Sequence, residues 1–396
     1  MRAVGALKPR TIVVLLVTTP PGVRLVRGHA PLIDLEAKTV PVARSSGADQ
    51  RIPYDRLVLA PGGVTRLLDS PGLSTHALGF KTVAGALYLR DLVLQRMEQA
   101  NDELDAAARG AVLEFVVVGA GYAGTELVVQ MSRLATRLLT VFPALRAPDI
   151  NWTSLDMTPA VMPELGEELG LAALALLRQR GIGVRLRTSV SKITADYAEL
   201  TDGTTINGEI IVWRAGVAAN PLMASTGLAT TKGRLDVDSE LRVTGRDDRY
   251  ALGDAAAVPD LSAAPDDHGI FPMCPPTAKH AMRQGRAVAR NVIADVRGER
   301  RHACRHRDLG LVVDLGGTDS VPRPPGLAIR GRSAKLVTRV YHLYSLPTGR
   351  RRIRAVVECM TAGRTPDDVA FDLPDSPVAL AAAEHAPNAS GTGAHR

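Results

Sequence analysis

Phe115-Val116-Val117-Val118-Gly119-Ala120-Gly121-Tyr122-Ala123-Gly124-Thr125-Glu126 joins an apolar run to an amphipathic one through three spaced glycines. The run Leu113 to Val118 predicts a buried strand, and the apolar spacing after it predicts a helix from about Tyr122 to Thr136. Between them stands G-x-G-x-x-G. In such a turn Gly119 permits the tight reversal, Gly121 lets a pyrophosphate approach the backbone, and Gly124 lets helix and strand pack closely. The helix start supplies unbonded N–H groups and the positive end of the dipole. A glycine turn without a ligand satisfies the same pattern, but the strand-turn-helix context points to a dinucleotide.

The surrounding chain has the matching architecture. Helical periodicity runs over Val83 to Ala108 and from Pro163 to Gly181. Strands are predicted at Tyr54 to Ala60, Val184 to Arg187, Ile210 to Trp213 and Arg249 to Leu252, and Pro275-Pro276 opens a helix to about Val296. Alternating strands and helices imply a parallel α/β fold. The 396 residues suit two to three domains. The strand after a dinucleotide turn ends in an acid that bonds the adenosine ribose, about 20 residues on. Asp156 lies 32 beyond Gly124 (156 − 124), and Phe142 to Asn151 reads as an inserted loop that explains the delay. An acid there favours NADH, since it repels the 2′-phosphate of NADPH. A solvated loop Asp is the alternative.

Further stretches, in order, carry a family likeness. They are Tyr54-Asp55-Arg56-Leu57-Val58-Leu59-Ala60-Pro61-Gly62, Asp156 to Pro163, Trp213-Arg214-Ala215-Gly216-Val217, Tyr250-Ala251-Leu252-Gly253-Asp254 and Pro276-Thr277-Ala278-Lys279-His280-Ala281. With the glycine turn, they resemble the FAD-dependent pyridine nucleotide-disulfide oxidoreductases, specifically their type II NADH dehydrogenase branch, over roughly Val23 to Asp372. The resemblance implies two Rossmann-like FAD/NAD(P)-binding domains, the NADH domain inserted in the FAD domain, and a C-terminal α+β segment. It implies hydride transfer from NADH to FAD and passage of electrons to a quinone or another small acceptor. Cofactor contacts carried over are Gly62, Gly253 and Asp254 for FAD, Thr277 and Ala278 beside the flavin ring, and Ala215 and Gly216 at the exit from the NADH domain. Glu126 matches the family's acid near the nicotinamide, with a first-turn acid favouring the helix dipole as the alternative. Asp254 is otherwise a turn-capping Asp.

Departures matter as much. Lys279 and Met282 replace the Gln and His of the quinone-reducing helix run. Lys279 stabilises anionic reduced flavin, binds an acidic acceptor, or reaches to solvent. No C-x-x-x-x-C pair occurs, and Cys274, Cys304 and Cys359 are scattered, so thiol redox and structural zinc are both disfavoured and no metal is expected. Cys274, before two prolines, reads as structural. The family opens with its own FAD glycine loop, whereas Met1 to Gly22 offers one short apolar run and a turn. The FAD domain is therefore expected to be N-terminally incomplete, through a start site placed too late, a degenerate fragment, or a protein that works without FAD. A flavin-free NADH-binding sensor or inactive remnant is the second reading of function.

The expected division is residues 1–108 and 218–298 for the two parts of the FAD domain, 109–217 for the NAD(P)H domain, 299–375 for a basic segment and 376–396 for a disordered tail. The net charge of +7 is concentrated: Arg300 to Arg354 hold thirteen Lys/Arg against three Asp, or +10. No nucleic-acid signature accompanies this patch, and nucleic acid is not expected. With the amphipathic stretch Ala334 to Leu346 the patch could touch anionic lipid. The longest apolar run, Leu171 to Leu177, is seven residues, far short of the ~20 a membrane helix needs. A cytoplasmic location is expected, with the inner membrane face as the site of any contact.

Overall fold

A computed structural model describes residues 22–44, 47–208 and 210–305, the strands Leu311–Asp314 and Ser320–Arg323, and Ile353. The expectations for Met1 to Pro21, for Ala334 to Leu346 and for the 376–396 tail lie outside the described residues. The chain forms two compact units, one built on Leu67–Gly216 and the other on residues 22–66 and 217–305.

The first unit is a parallel sheet covered on both faces. Its strands stand in the order Ala77–Gly79, Ile210–Trp213, Glu114–Val118, Asn151–Asp156, Ile182–Leu186, every pairing parallel. Side chains alternate across a strand, and here both faces are apolar. Phe115 and Val117 join the core under the helices Val83–Asp102, Tyr122–Leu138 and Glu167–Gln179. Phe115 stacks on Trp152 with ring centroids 4.4 Å apart. Val116 and Val118 join Leu155, Ile211 and Trp213 on the other face. That face is covered by an antiparallel meander of Val190–Ile193, Tyr197–Leu200 and Thr205–Asn207. The near-continuous Val/Ile runs follow from this double burial.

Local signals set the helix ends. Thr82 caps Val83–Asp102 by accepting from the Gly85 N–H at 3.0 Å. That helix stops at Asp102, short of the expected Ala108, and a separate helix, Ala106–Val112, follows with Asp105 as its cap. Glu167–Gln179 starts later than Pro163, which opens a 3₁₀ turn, Pro163–Leu165, instead. The unit itself begins at Leu67, well before the boundary expected at residue 109. The reason is the sheet: Ala77–Gly79 is its edge strand, and Leu89, Val93 and Met97 of the next helix sit in its core.

The second unit is assembled from small pieces. Leu57–Leu59 pairs in parallel with Arg249–Ala251, Gly63–Thr65 antiparallel with Val217–Ala219, and Arg234–Asp236 in parallel with Ala256–Ala257. Only three residues of the expected Tyr54 to Ala60 run are strand. Helix Ala278–Arg297 packs on these pieces through Val288, with Tyr250, Leu235 and Leu241 in the same core. It starts after the two prolines, at a Thr277 cap, and ends at Gly298 with φ +68°. The unit runs past the expected boundary at 298 because Asn291 brackets the chain beyond. Its side-chain amide donates to the His302 and Glu240 carbonyl oxygens, and its oxygen accepts from the His302 N–H.

Candidate functional sites

In the first unit, parallel register brings separate strand ends to one edge. Trp213 pairs with Val118, and Val118 with Leu155, so Gly119, Asp156 and Arg214 lie together at the carboxyl edge of the sheet. Ligands of open α/β sheets bind outside such carboxyl ends. The glycine turn is tightly specified. Gly119 has φ +116°, and a Cβ there would stand 2.6 Å from the Arg214 carbonyl oxygen. A Cβ on Gly124 would fall 1.8 Å from the Gly119 oxygen. At Gly121 the situation reverses: a Cβ would meet only Glu164 Oε1, at 3.8 Å. Gly121 is also the N-cap of Tyr122–Leu138 and offers it no side chain. The open space above a helix start without a side-chain cap fits a pyrophosphate.

Asp156 ends its strand beside this turn, and its carboxylate is busy. Oδ2 accepts from the Ala120 N–H at 2.6 Å, while Oδ1 accepts from Thr158 N–H at 2.8 Å and from the Thr158 hydroxyl at 2.7 Å. A carboxylate has about four acceptor sites, so room for one ribose hydroxyl remains. Asp156 is thus a brace for the glycine turn, a role that the spacing argument did not include. Thr158 and the buried Thr125, whose hydroxyl donates to the Ala120 carbonyl oxygen at 3.0 Å, were also missed. Asp-x-Thr is a recognisable Asx-turn spacing; nothing local in the sequence announces Thr125.

Arg214 N–H bonds to the Val118 oxygen at 2.7 Å, and Gly216 follows with φ +102°, so Ala215 and Gly216 extend the same edge. Glu126 is half-buried and lies beyond the first turn of its helix, which contains no acid. The reading of Glu126 as a first-turn partner of the helix dipole is therefore corrected.

In the second unit, sterics gather a different set. A Cβ on Gly63 would stand 2.5 Å from Val217 Cγ1 and 3.2 Å from the Asp254 Cβ, so Gly62-Gly63, Val217 and Asp254 share one spot. Gly62, at φ +74°, has open space around it. Gly253, at φ +66°, donates its N–H to Gln284 Oε1 at 2.8 Å, and a Cβ on it would approach Ala281 at 3.3 Å. The Gly253-Asp254 turn therefore sits against the first turns of Ala278–Arg297. Thr277 caps that helix, Ala278 is exposed at its start and Lys279 is half-buried. A half-exposed Asp254, an open Gly62 and an accessible helix start suit the ribityl chain and ring of FAD. Cys274 is buried close by, and burial, with the Asp260 carboxylate adding, pushes its thiol up to about 11. That value makes it a poor nucleophile.

A candidate dinucleotide site in the first unit and a Gly-Asp turn against a helix start in the second fit the class of nucleotide-dependent redox proteins. Residues 11–285 match the family model described as pyridine nucleotide-disulphide oxidoreductase, and the chain belongs to that family. It is 32% identical over 352 residues to the type II NADH:quinone oxidoreductase NdhA of Mycobacterium tuberculosis, covering 84% of this chain and 71% of the relative. It is 28% identical to the demethylphylloquinone reductase NdbB of a Synechocystis strain, covering 86% and 78%. Among solved structures, NDH2 of Plasmodium falciparum in complex with NADH superposes with a TM-score of 0.77 at 14% identity, covering 85% of this chain and 83% of that one. This last likeness is one of fold.

Proposed function

We propose that the protein is an FAD-dependent NADH oxidoreductase that passes electrons to a quinone. The observation that carries this is the pair of separately built sites, one a complete glycine turn at a parallel sheet edge, the other an Asp254 turn against a helix start. The two curated relatives, both named as quinone-type reductases, supply the acceptor.

The NADH pyrophosphate would lie over Gly121 and the start of Tyr122–Leu138, where the backbone N–H groups and dipole favour negative charge. Asp156 holds Ala120 and the turn in shape, accepts one ribose hydroxyl, and repels a 2′-phosphate. Glu126 orients the nicotinamide end. Gly62, Gly253, Asp254, Thr277 and Ala278 hold FAD, which when bound supplies the hydride acceptor and the route for electrons onward. The N–H groups of Ala278 and Lys279, with the Lys279 ammonium, stabilise negative charge at the helix start. No helix among the described residues is long and apolar enough to cross a membrane. The basic Arg300–Arg354 segment supports contact with an anionic membrane face, the inner one if the protein is cytoplasmic.

Purified protein supplied with FAD should show near-stoichiometric flavin bands and oxidise NADH with a soluble quinone. The Asp156→Ala variant should lose roughly tenfold in NADH affinity and narrow its preference over NADPH. A colourless protein that binds NADH without oxidising it would defeat the proposal, and an unchanged preference would remove the role given to Asp156.

A further inference from the structure

Three potential metal ligands of different chemistry meet in the second unit, none of them among the residues assigned to NADH or FAD. A carboxylate oxygen of Asp260, the Cys274 sulphur and an imidazole nitrogen of His280 all lie within 4.8 Å of one another. Cys274 and His280 are 6% and 7% exposed, and Asp260 is half-buried. We propose that these three side chains form a binding site for a divalent transition metal of the zinc class.

The backbone holds the ligands in place. Residues 258–260 run antiparallel to residues 272–274: the Cys274 N–H donates to the Val258 oxygen and the Asp260 N–H to the Pro272 oxygen, both at 2.8 Å, with a bridge between Pro259 and Met273. This clamp sets Asp260 and Cys274 diagonally across two paired segments, on the same face. Pro275, Pro276 and the Thr277 cap then start the helix so that His280 arrives in its first turn. The Thr277 hydroxyl meets His280 Nδ1 at 2.7 Å. Metal-bound imidazoles carry such a partner on their second nitrogen, which fixes the ring, so Nε2 is the nitrogen assigned to the metal. Arg234 faces the group, but its guanidinium bonds the Cys274 carbonyl oxygen, not a ligand atom.

The donor set selects the ion. A thiolate and an imidazole suit zinc-class ions and disfavour magnesium and calcium, which take oxygen ligands. Tetrahedral zinc with sulphur and nitrogen ligands needs donors roughly 3.5 Å apart, so no pair of the three groups needs to close by more than about 1.3 Å, within side-chain rotation. Three protein ligands leave a fourth position. Water fills it. The ion would pin the loop before Cys274 to the start of Ala278–Arg297. It acts on this chain's own residues and does not depend on the FAD proposal.

Untagged full-length protein, stripped with a chelator, would be titrated with Co²⁺. The expected result is a near-ultraviolet thiolate-to-cobalt charge-transfer band with tetrahedral d–d bands, saturating at one ion per chain and displaced by Zn²⁺. Cys274→Ser should abolish the charge-transfer band, and Asp260→Asn should weaken Zn²⁺ binding by at least about tenfold. Circular dichroism would confirm folding. If the serine variant does not fold, the Asp260→Asn affinity decides. Absence of the charge-transfer band in the parent, or equal Zn²⁺ affinity in the folded variants, would overturn the site.

Discussion

The two units position the backbone of their candidate sites by different means. In Leu67–Gly216 one sheet, apolar on both faces, fixes the register of five strands, and the site is simply where three of them end. In the other unit, the strands come in short twos and threes, and long-range polar contacts do the positioning. Gln284 holds Gly253, Asn291 holds His302, and the buried Arg249 donates to the Leu35 carbonyl oxygen at 2.7 Å. Arg301 joins Glu240 to Asp295, and Arg56 reaches Asp295 from far along the chain. Close apolar packing makes the first unit sensitive above all to volume. A polar scaffold is sensitive to single charges.

The largest expected effect tests the volume side. Gly124→Ala puts a methyl 1.8 Å from a backbone oxygen that has nowhere to go. It should cost about 3 kcal/mol and abolish NADH binding in a fluorescence titration. Gly62→Ala has open space and meets only the left-handed backbone penalty, about 1 kcal/mol, and should leave NADH binding intact. Equal losses in the two variants would erase the contrast between the units.

The same contrast explains what could be read from the sequence. The glycine turn was legible because its demands are local: a buried strand, a tight reversal and a close helix are all written within twelve residues. The parallel α/β class followed from alternation. The sequence spacing singles out Asp156, which the structure puts at a strand end beside the turn, but its bond to Ala120 spans 36 residues and no pattern encodes it. The start at Leu67 was missed because Ala77–Gly79 is three residues long, too short for periodicity, and becomes a strand only against Ile211 to Trp213. Asp260, Cys274 and His280 lack any metal-binding spacing, since an antiparallel bridge and a helix start bring them together. Zinc was therefore disfavoured on spacing alone.

Asp295 tests the polar side. Burial acts to raise its carboxyl pKa, but hydrogen bonds from Arg301 and Arg56 outweigh that and hold it below the usual range. A lowered folded value means the stabilisation is present above the unfolded carboxylate value, about 4, and is lost as pH falls through the folded one. Asp295→Asn should cost roughly 1–2 kcal/mol at neutral pH and lose that acid sensitivity. Both tryptophans, Trp152 and Trp213, lie in the other unit. Circular dichroism should therefore register the loss at lower denaturant than tryptophan fluorescence does. Coincident shifts in both signals would mean that the units do not respond separately.

Glu114 supplies the opposite sign within the apolar unit. Burial at the start of its strand raises its pKa, partly offset by the Thr153 hydroxyl, which donates to Glu114 Oε1 at 3.2 Å, and by Arg185. A raised folded value means the favourable contribution is complete below the unfolded carboxylate value and is lost as pH rises through the folded one. At neutral pH the charged form is a small burden on the sheet. Glu114→Gln removes the charge and keeps the shape, so it should stabilise the unit by about 0.5 kcal/mol at pH 7 and by nothing near pH 4. Tryptophan fluorescence, which sees this unit alone, is the measurement. A gain that does not shrink on acidification would show that burial of the charge is not what the substitution relieves.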